Sequence, residues 1–150
     1  MVNVTFTYPT EEDVLEMLCK MRQADKDELQ IVPFSSLYDA LKFSIEKADD
    51  RFTFACRVDG ELVCMGGVIP EPLSGNVWFV STDLIRKYKV QLKKQLDNGV
   101  FLDVVLKEYK MLYNYISSNN LLGLAWVKSL GFNIWDTDNS HIKYIFKRYE

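Results

Sequence analysis

Few side chains in this sequence are equipped for chemistry by type alone. Cys19, Cys56 and Cys64 are its thiols and His141 is its single imidazole. The cysteines show no CxxC spacing, and no Cys or His stands near His141 at a ligand interval. Zinc prefers closely spaced thiolate and imidazole donors, and disulfide frameworks use even cysteine counts, so this pattern predicts neither a metal centre nor a disulfide. The apolar surroundings of all three cysteines predict reduced thiols packed in a core. His141 stands at the start of the last strand, where it reads as an exposed turn histidine. The Asp136/Asp138 pair falls in a polar turn and has no acid–base role.

The chain of 150 residues is long enough for one domain with a sizeable core, and residues 1–150 read as a single domain. Apolar residues make up 48% and charged residues 26%, an ordinary globular composition. A net charge of −3 and a pI near 5.3 argue against general affinity for nucleic acid or anionic membranes, although local basic clusters exist. The opening MVNVTFTYPTEED has no basic segment followed by an apolar run, so no secretory signal is expected. No uninterrupted apolar run reaches the ~18 residues that a membrane-spanning helix needs. A soluble cytoplasmic protein is the expectation.

The elements that must position any site are read from periodicity. VTFTY (4–8) alternates as a strand. Thr10 and Asp13 have capping-box spacing at the head of a helix carrying Val14, Leu15, Leu18 and Met21, which should fade around Ala24–Glu28. Pro33 breaks the pattern, and Ser35 or Ser36 caps a second helix whose stripe is Leu37, Ala40, Leu41 and Ile45. RFTFACRVDGELVCMGGVIP is a hairpin turned at Asp59-Gly60, and NVWFVSTD (76–83) adds a strand after a loop marked by Pro70, Pro72 and Gly75. Leu84 to Tyr109 is helical with an interruption at Asn98-Gly99. MLYNYISS (111–118) is a strand, LLGLAWVKSL a helix ended by Gly131, and FNIW and HIKYIFKRY two closing strands. The order β-αα-βββ-α-β-α-ββ predicts an α+β domain on a mixed, mostly antiparallel sheet of about seven strands.

This order, closing on NNLLGLAWVKSLGF (119–132), resembles the GNAT superfamily, the Gcn5-related N-acetyltransferases. Asn120 matches the Asn that follows the fifth strand in the family's motif B. Gly123 stands where a small Ala is usual, and Leu130-Gly131-Phe132 matches the motif's ending. Four further stretches, MRQADKDEL (21–29), GGVIPEPLSGNVWFVSTD (66–83), LYNYISSNN (112–120) and AWVKSLGF (125–132), are similar to the GNAT-like family of short-tailed phages. That family includes the internal virion protein of T7-like phages, which takes part in virion assembly.

The resemblance implies where acetyl-CoA would bind. The cofactor enters where the fourth and fifth strands splay, so Phe79, Val80 and Ser81 would lend backbone groups to its pantetheine arm and thioester carbonyl. Its pyrophosphate normally rests on glycine-loop amides at the start of the next helix. Here that segment, STDLIRKYKVQLKKQ, contains no glycine. Arg86, Lys87 and Lys89 either replace the loop with positive side chains or are a solvated helix start. Counting back four from Gly131, where the family carries a Tyr as general acid, gives Val127, which has no proton to give. The neighbouring Trp126 is a hydrogen-bond donor only. Tyr113 and Tyr115 are either stand-ins for that acid or strand aromatics. Asp83 is the best-placed general base, with His141 a remoter one, or else Asp83 caps the following helix. Asn120 bonds the pantetheine arm, caps the last helix, or does both.

Two functions follow from the resemblance. One is a phage protein of the internal-virion or assembly type with a degenerate acetyl-CoA site. It would meet phage or host proteins in the bacterial cytoplasm during infection and within the virion. The other is a working acetyl-CoA-dependent N-acetyltransferase acting on a protein or small-molecule amine. Neither calls for nucleic acid, a membrane or a metal.

Overall fold

The computed structural model describes residues 2–30, 36–97 and 101–150. Seven strands form one sheet in the order β1-β2-β3-β4-β5-β7-β6. They are β1 (Val4–Thr7), β2 (Phe54–Val58), β3 (Glu61–Pro70), β4 (Gly75–Ser81), β5 (Met111–Ser117), β6 (Asn133–Asp136) and β7 (Ile142–Arg148). The β4–β5 ladder is parallel, as a helical crossover requires, and the β1–β2, β2–β3, β5–β7 and β6–β7 ladders are antiparallel. Among the described residues six α-helices accompany the sheet: α1 (Glu11–Lys20), α2 (Gln23–Gln30), α3 (Leu37–Lys47), α4 (Ile85–Asp97), α5 (Phe101–Tyr109) and α6 (Leu121–Ser129). This is the α+β architecture expected. The chain folds as two compact units, one of residues up to Ile69 with Trp78–Leu92, the other of Pro70–Val77 with Lys93–Glu150.

In the first unit, the sequence signals around α1 and the hairpin are realised atom for atom. Thr10 Oγ1 accepts from the Asp13 amide at 3.1 Å, and Asp13 Oδ2 accepts from the Thr10 amide at 2.9 Å. Asp13 is buried, and Arg57 reaches it from β2 at 2.7 Å and Glu16 at 2.9 Å. Burial alone would raise the Asp13 carboxyl, but the Thr10 bonds and the Arg57 guanidinium outweigh it and hold the group below its usual range. Asp59 and Gly60 both adopt left-handed backbone, with φ of 50° and 84°, which gives the turn the twist its strands need. Val14, Met17 and Met21 pack with Leu41, Ile45, Ala55, Leu62, Met65 and Val80 as a buried cluster.

Two expectations in this unit are corrected. The first helix does not fade near Ala24–Glu28. It stops at Lys20, because Met21 turns extended (ψ 139°), bridges to Thr82, and lets the Arg22 amide donate to Ser81 O at 2.9 Å before α2 begins. Cys19 is exposed, whereas Cys56 and Cys64 are buried. Helix α1 buries Asp13, Val14 and Met17, and a residue two positions beyond Met17 falls on the opposite face. Ser36 caps α3 by accepting from the Asp39 amide, while the expected break at Pro33 and the alternative cap Ser35 lie outside the described residues.

In the second unit, β5 and β7 pair from Met111↔Arg148 to Ser117↔Ile142. The register puts Leu112, Ile116 and Ile145 on a buried face, and Tyr113, Tyr115, Tyr144, Phe146 and Trp135 on the other as a run of touching rings. Helix α6 ends as the sequence indicates. Gly131 has φ +90°, its amide donates to Lys128 O, and the Phe132 amide donates to Val127 O. Lys147 Nζ adds a 2.7 Å bond to Leu130 O. Of the helical run expected from Leu84 to Tyr109, α4 covers Ile85–Asp97 and α5 covers Phe101–Tyr109, and Asn98-Gly99, where the break is expected, lies outside the described residues.

Candidate functional site

The strongest concentration of candidate residues lies in the first unit, where β4 runs into α4. An open cleft of about 650 Å³ is lined there by Cys19, Lys20, Met21, Thr82, Asp83, Leu84, Arg86 and Lys87. Asp83, Arg86 and Lys87 thus share one cleft. Cys19 and Lys20 join them from the end of α1, a neighbourhood that depends on the Met21–Thr82 bridge and left no local signal in the sequence.

The backbone of this turn is already hydrogen-bonded. The Thr82 amide donates to Val63 O at 2.9 Å and the Leu84 amide to Thr82 Oγ1 at 3.3 Å. The amides of Ile85, Arg86 and Lys87 donate to Thr82 O, Asp83 O and Leu84 O at 3.2, 3.2 and 3.0 Å. These are the first N–H groups of α4, the ones that an anion at a helix start would use. Positive charge in the cleft therefore comes from the side chains of Lys20, Arg86 and Lys87. Asp83 sets a carboxylate among them. It is exposed and makes no side-chain hydrogen bond among the described residues, and the capping bond of this turn comes from Thr82.

Above the turn, the strand end is equally committed. Val80 belongs to the buried cluster and Phe79 is half-buried. Ser81 is buried. Its amide and hydroxyl donate to Asp25 Oδ2 at 2.9 and 3.3 Å, and its carbonyl accepts the Arg22 amide. Asp25 is a residue the sequence reading missed. Burial pushes its carboxyl up to about 6, with Glu28 acting in the same direction. The Ser81 bonds and Arg22, 3.7 Å away, oppose the rise. Within MRQADKDEL three acidic residues look alike, and the nonlocal bond to Ser81 is what singles out Asp25.

The remaining candidates lie in the second unit. Asn120 is buried and caps α6, its Oδ1 accepting from the Gly123 amide at 3.0 Å. A Cβ at position 123 would stand 2.5 Å from Asn120 Nδ2, so glycine lets the capping amide lie across the first turn. Val127, at the position of the family's acid, is half-buried. The Tyr113 hydroxyl donates to the Glu71 carboxylate, and burial together with that carboxylate raises its pKa. Tyr115 is exposed beside it on the aromatic face. The β4–β5 ladder has two register pairs, Gly75↔Leu112 and Asn76↔Tyr113, after which Asn114 Nδ2 donates to Val77 O at 2.6 Å. His141 is exposed in the turn before β7, and Asp136 is paired with Lys143.

Among the described residues no three His, Cys, Asp or Glu side chains gather as a metal site, and no helix is long and apolar enough to cross a membrane. Residues 53–137, more than half of the chain, match the family model described as "Bacteriophage T7, probable scaffold protein Gp13". No curated protein matches the sequence. Solved structures that share the fold include the PaiA N-acetyltransferase of Thermoplasma acidophilum in complex with coenzyme A. That match has a TM-score of 0.69 at 14% identity and covers 98% of this chain and 99% of that one. Ard1 of Thermoplasma volcanium matches with a TM-score of 0.69 at 11% identity, over 98% of each chain. The ribosomal-protein-S18-alanine N-acetyltransferase of Escherichia coli matches with a TM-score of 0.57 at 15% identity, over 96% of this chain and 91% of that one. The fold is that of the GNAT N-acetyltransferases.

Proposed function

We propose, from the premise that this chain belongs to the bacteriophage T7 probable scaffold protein Gp13 family, that it serves phage particle assembly on a GNAT framework whose acetyl-CoA site is degenerate. The observation that carries this reading is the closed backbone at the head of α4. A pyrophosphate there would meet N–H groups already bonded within the turn, and the Asp83 carboxylate lining the same cleft would repel it. No glycine allows the closer approach that a phosphate loop needs. In this reading the chain meets phage or host proteins in the cytoplasm of the infected bacterium and enters the virion with them.

Acetyl-CoA titration followed by calorimetry and thermal shift tests the proposal. A ligand at 100 times its dissociation constant stabilises a fold by ~2.7 kcal/mol, a shift easily seen in a chain this size. The expected result is no heat and no shift at millimolar acetyl-CoA. Saturable binding would overturn the degenerate-site reading and favour the transferase one, for which the convergence of Lys20, Arg86 and Lys87 speaks. Arg86→Ala and Lys87→Ala should then weaken binding. The assembly role has its own test. Particles made without this protein should lack part of their internal composition, and normal infectious particles would count against the role.

A further inference from the structure

Helix α2, QADKDELQ, docks through a charged residue. A surface helix ordinarily docks through an apolar stripe. In α2 the one large apolar side chain is Leu29, which packs part-buried against the core cluster of the first unit. The only buried residue of the helix is Asp25. Its Oδ2 accepts from both the amide and the hydroxyl of Ser81, the last residue of β4. In sequence the helix is a polar stretch, and its hold on the molecule rests on a carboxylate and one leucine.

What α2 covers follows from the strand end. The Thr82 amide points to β3, where it donates to Val63 O at 2.9 Å. Successive residues of a strand turn their backbone groups to opposite sides, so the Ser81 amide and carbonyl point away from β3. On that side the carbonyl accepts the Arg22 amide, and the amide is taken by Asp25. The Arg22 bond joins backbone to backbone, in the extended Met21–Arg22 step beside the Met21–Thr82 bridge. The Asp25 bonds end on a group whose charge can change. Arg22 Nη1, 3.7 Å from Asp25 Oδ1, favours the ionised carboxylate, and Glu28, one turn along α2, disfavours it. Strand β4 has no titratable residue, and the last turn of α1 brings Lys20, paired with Glu16. Helix α3, beside α2, carries Asp39, Lys42, Glu46 and Lys47, of which Lys42 is paired with Glu11. Burial outweighs Arg22, so ionising Asp25 costs more in the docked helix than in water.

We propose that α2 is a lid over the end of β4, latched by Asp25 on Ser81 and released by local opening beyond the Met21–Arg22 joint while the rest of the first unit stays folded. Opening bares the Ser81 amide and hydroxyl, two donors immediately before Thr82, which lines the cleft at the head of α4. The lid goes beyond the assembly reading and holds whether or not acetyl-CoA binds.

Site-resolved proteolysis is the experiment. A helix of 8 residues is not stable alone, so α2 melts once undocked and becomes a substrate. A glutamyl endopeptidase should cut after Glu28 at least about tenfold faster than after Glu16 in α1, each rate divided by that of a free peptide of the same segment. A carboxyl that titrates near 4 in water and at about 6 in the docked helix makes opening about tenfold easier at pH 8 than at pH 5. The latch is thus tightest with Asp25 protonated and weakens as pH rises through about 6. The normalised cut at Glu28 should rise by that factor, and in Asp25→Asn it should stay level. The parent's profile stands on its own where the variant does not fold. Cutting at Glu28 no faster than at Glu16, a rate indifferent to pH, or a parent-like rise in Asp25→Asn would overturn the proposal.

Discussion

Asp25 is a buried carboxylate, fixed to Ser81 by two hydrogen bonds. Its pKa of about 6 lies above the value near 4 of an unfolded Asp. The sign follows directly: the group costs nothing below pH 4, and its destabilising contribution grows as pH rises through 6, reaching on the order of 3 kcal/mol. Asp25→Asn keeps an oxygen for the Ser81 amide and removes the charge. Its melting temperature should lack the decline the parent shows between pH 4 and 6, and at pH 7.5 it should melt no lower than the parent. Asp25→Ala should instead lose about 1–3 kcal/mol, because buried Ser81 donors are left without an acceptor. Thermal melts of the three proteins across this range decide it, and a parent-like pH slope in Asp25→Asn would rule out the assignment.

Helix α6 shows how an element's entry can depend on one missing atom. Alanine ordinarily exceeds glycine in helix propensity by ~1 kcal/mol, so Gly123→Ala should stabilise α6 if the position were free. Here the new methyl would displace the Asn120 cap, itself worth about 1 kcal/mol. The single substitution should therefore gain nothing. In an Asn120→Ala background, where the cap is already gone, the same change should recover about 1 kcal/mol. A double-mutant cycle by urea denaturation measures the coupling, and additive effects would refute it. Local signals of this kind were legible from the residues themselves: the Thr10/Asp13 box, the Asp59-Gly60 turn, the Asn120 entry and the Gly131 exit all work between near neighbours. The break after Lys20 was not, because no glycine or proline marks it and its cause, the end of β4, lies some sixty residues away.

For the whole molecule, the succession of elements along the chain and the α+β class could be read from alternation and turn residues because each strand declares its own period, whereas the order of strands within the sheet could not. The candidate site was less readable. The sequence located Asp83, Arg86 and Lys87, yet the partners that shape their setting, Lys20, Asp25 and the carbonyls of Val63 and Thr82, arrive only through tertiary contact. The thiols follow the same rule. Cys56 and Cys64 face each other across the β2–β3 ladder with no exposure, and burial raises the Cys64 thiol well above its usual range, while Cys19 stands on the outer side of α1. A thiol reagent should label one cysteine in the folded chain and three after guanidinium unfolding. Two or more labelled at native stability would mean the β2–β3 core opens far more readily than its burial implies.

The extended step at Met21–Arg22 has a consequence for the protein's slow motions. An amide at the seam of two helices ordinarily trades its proton with solvent as the ends fray. The Arg22 amide is bonded to Ser81 O, in a strand whose next residue is tied to Val63. Its deuterium uptake should keep pace with the central strands rather than with α1 and α2, so the two helices can breathe separately while the joint between them stays shut.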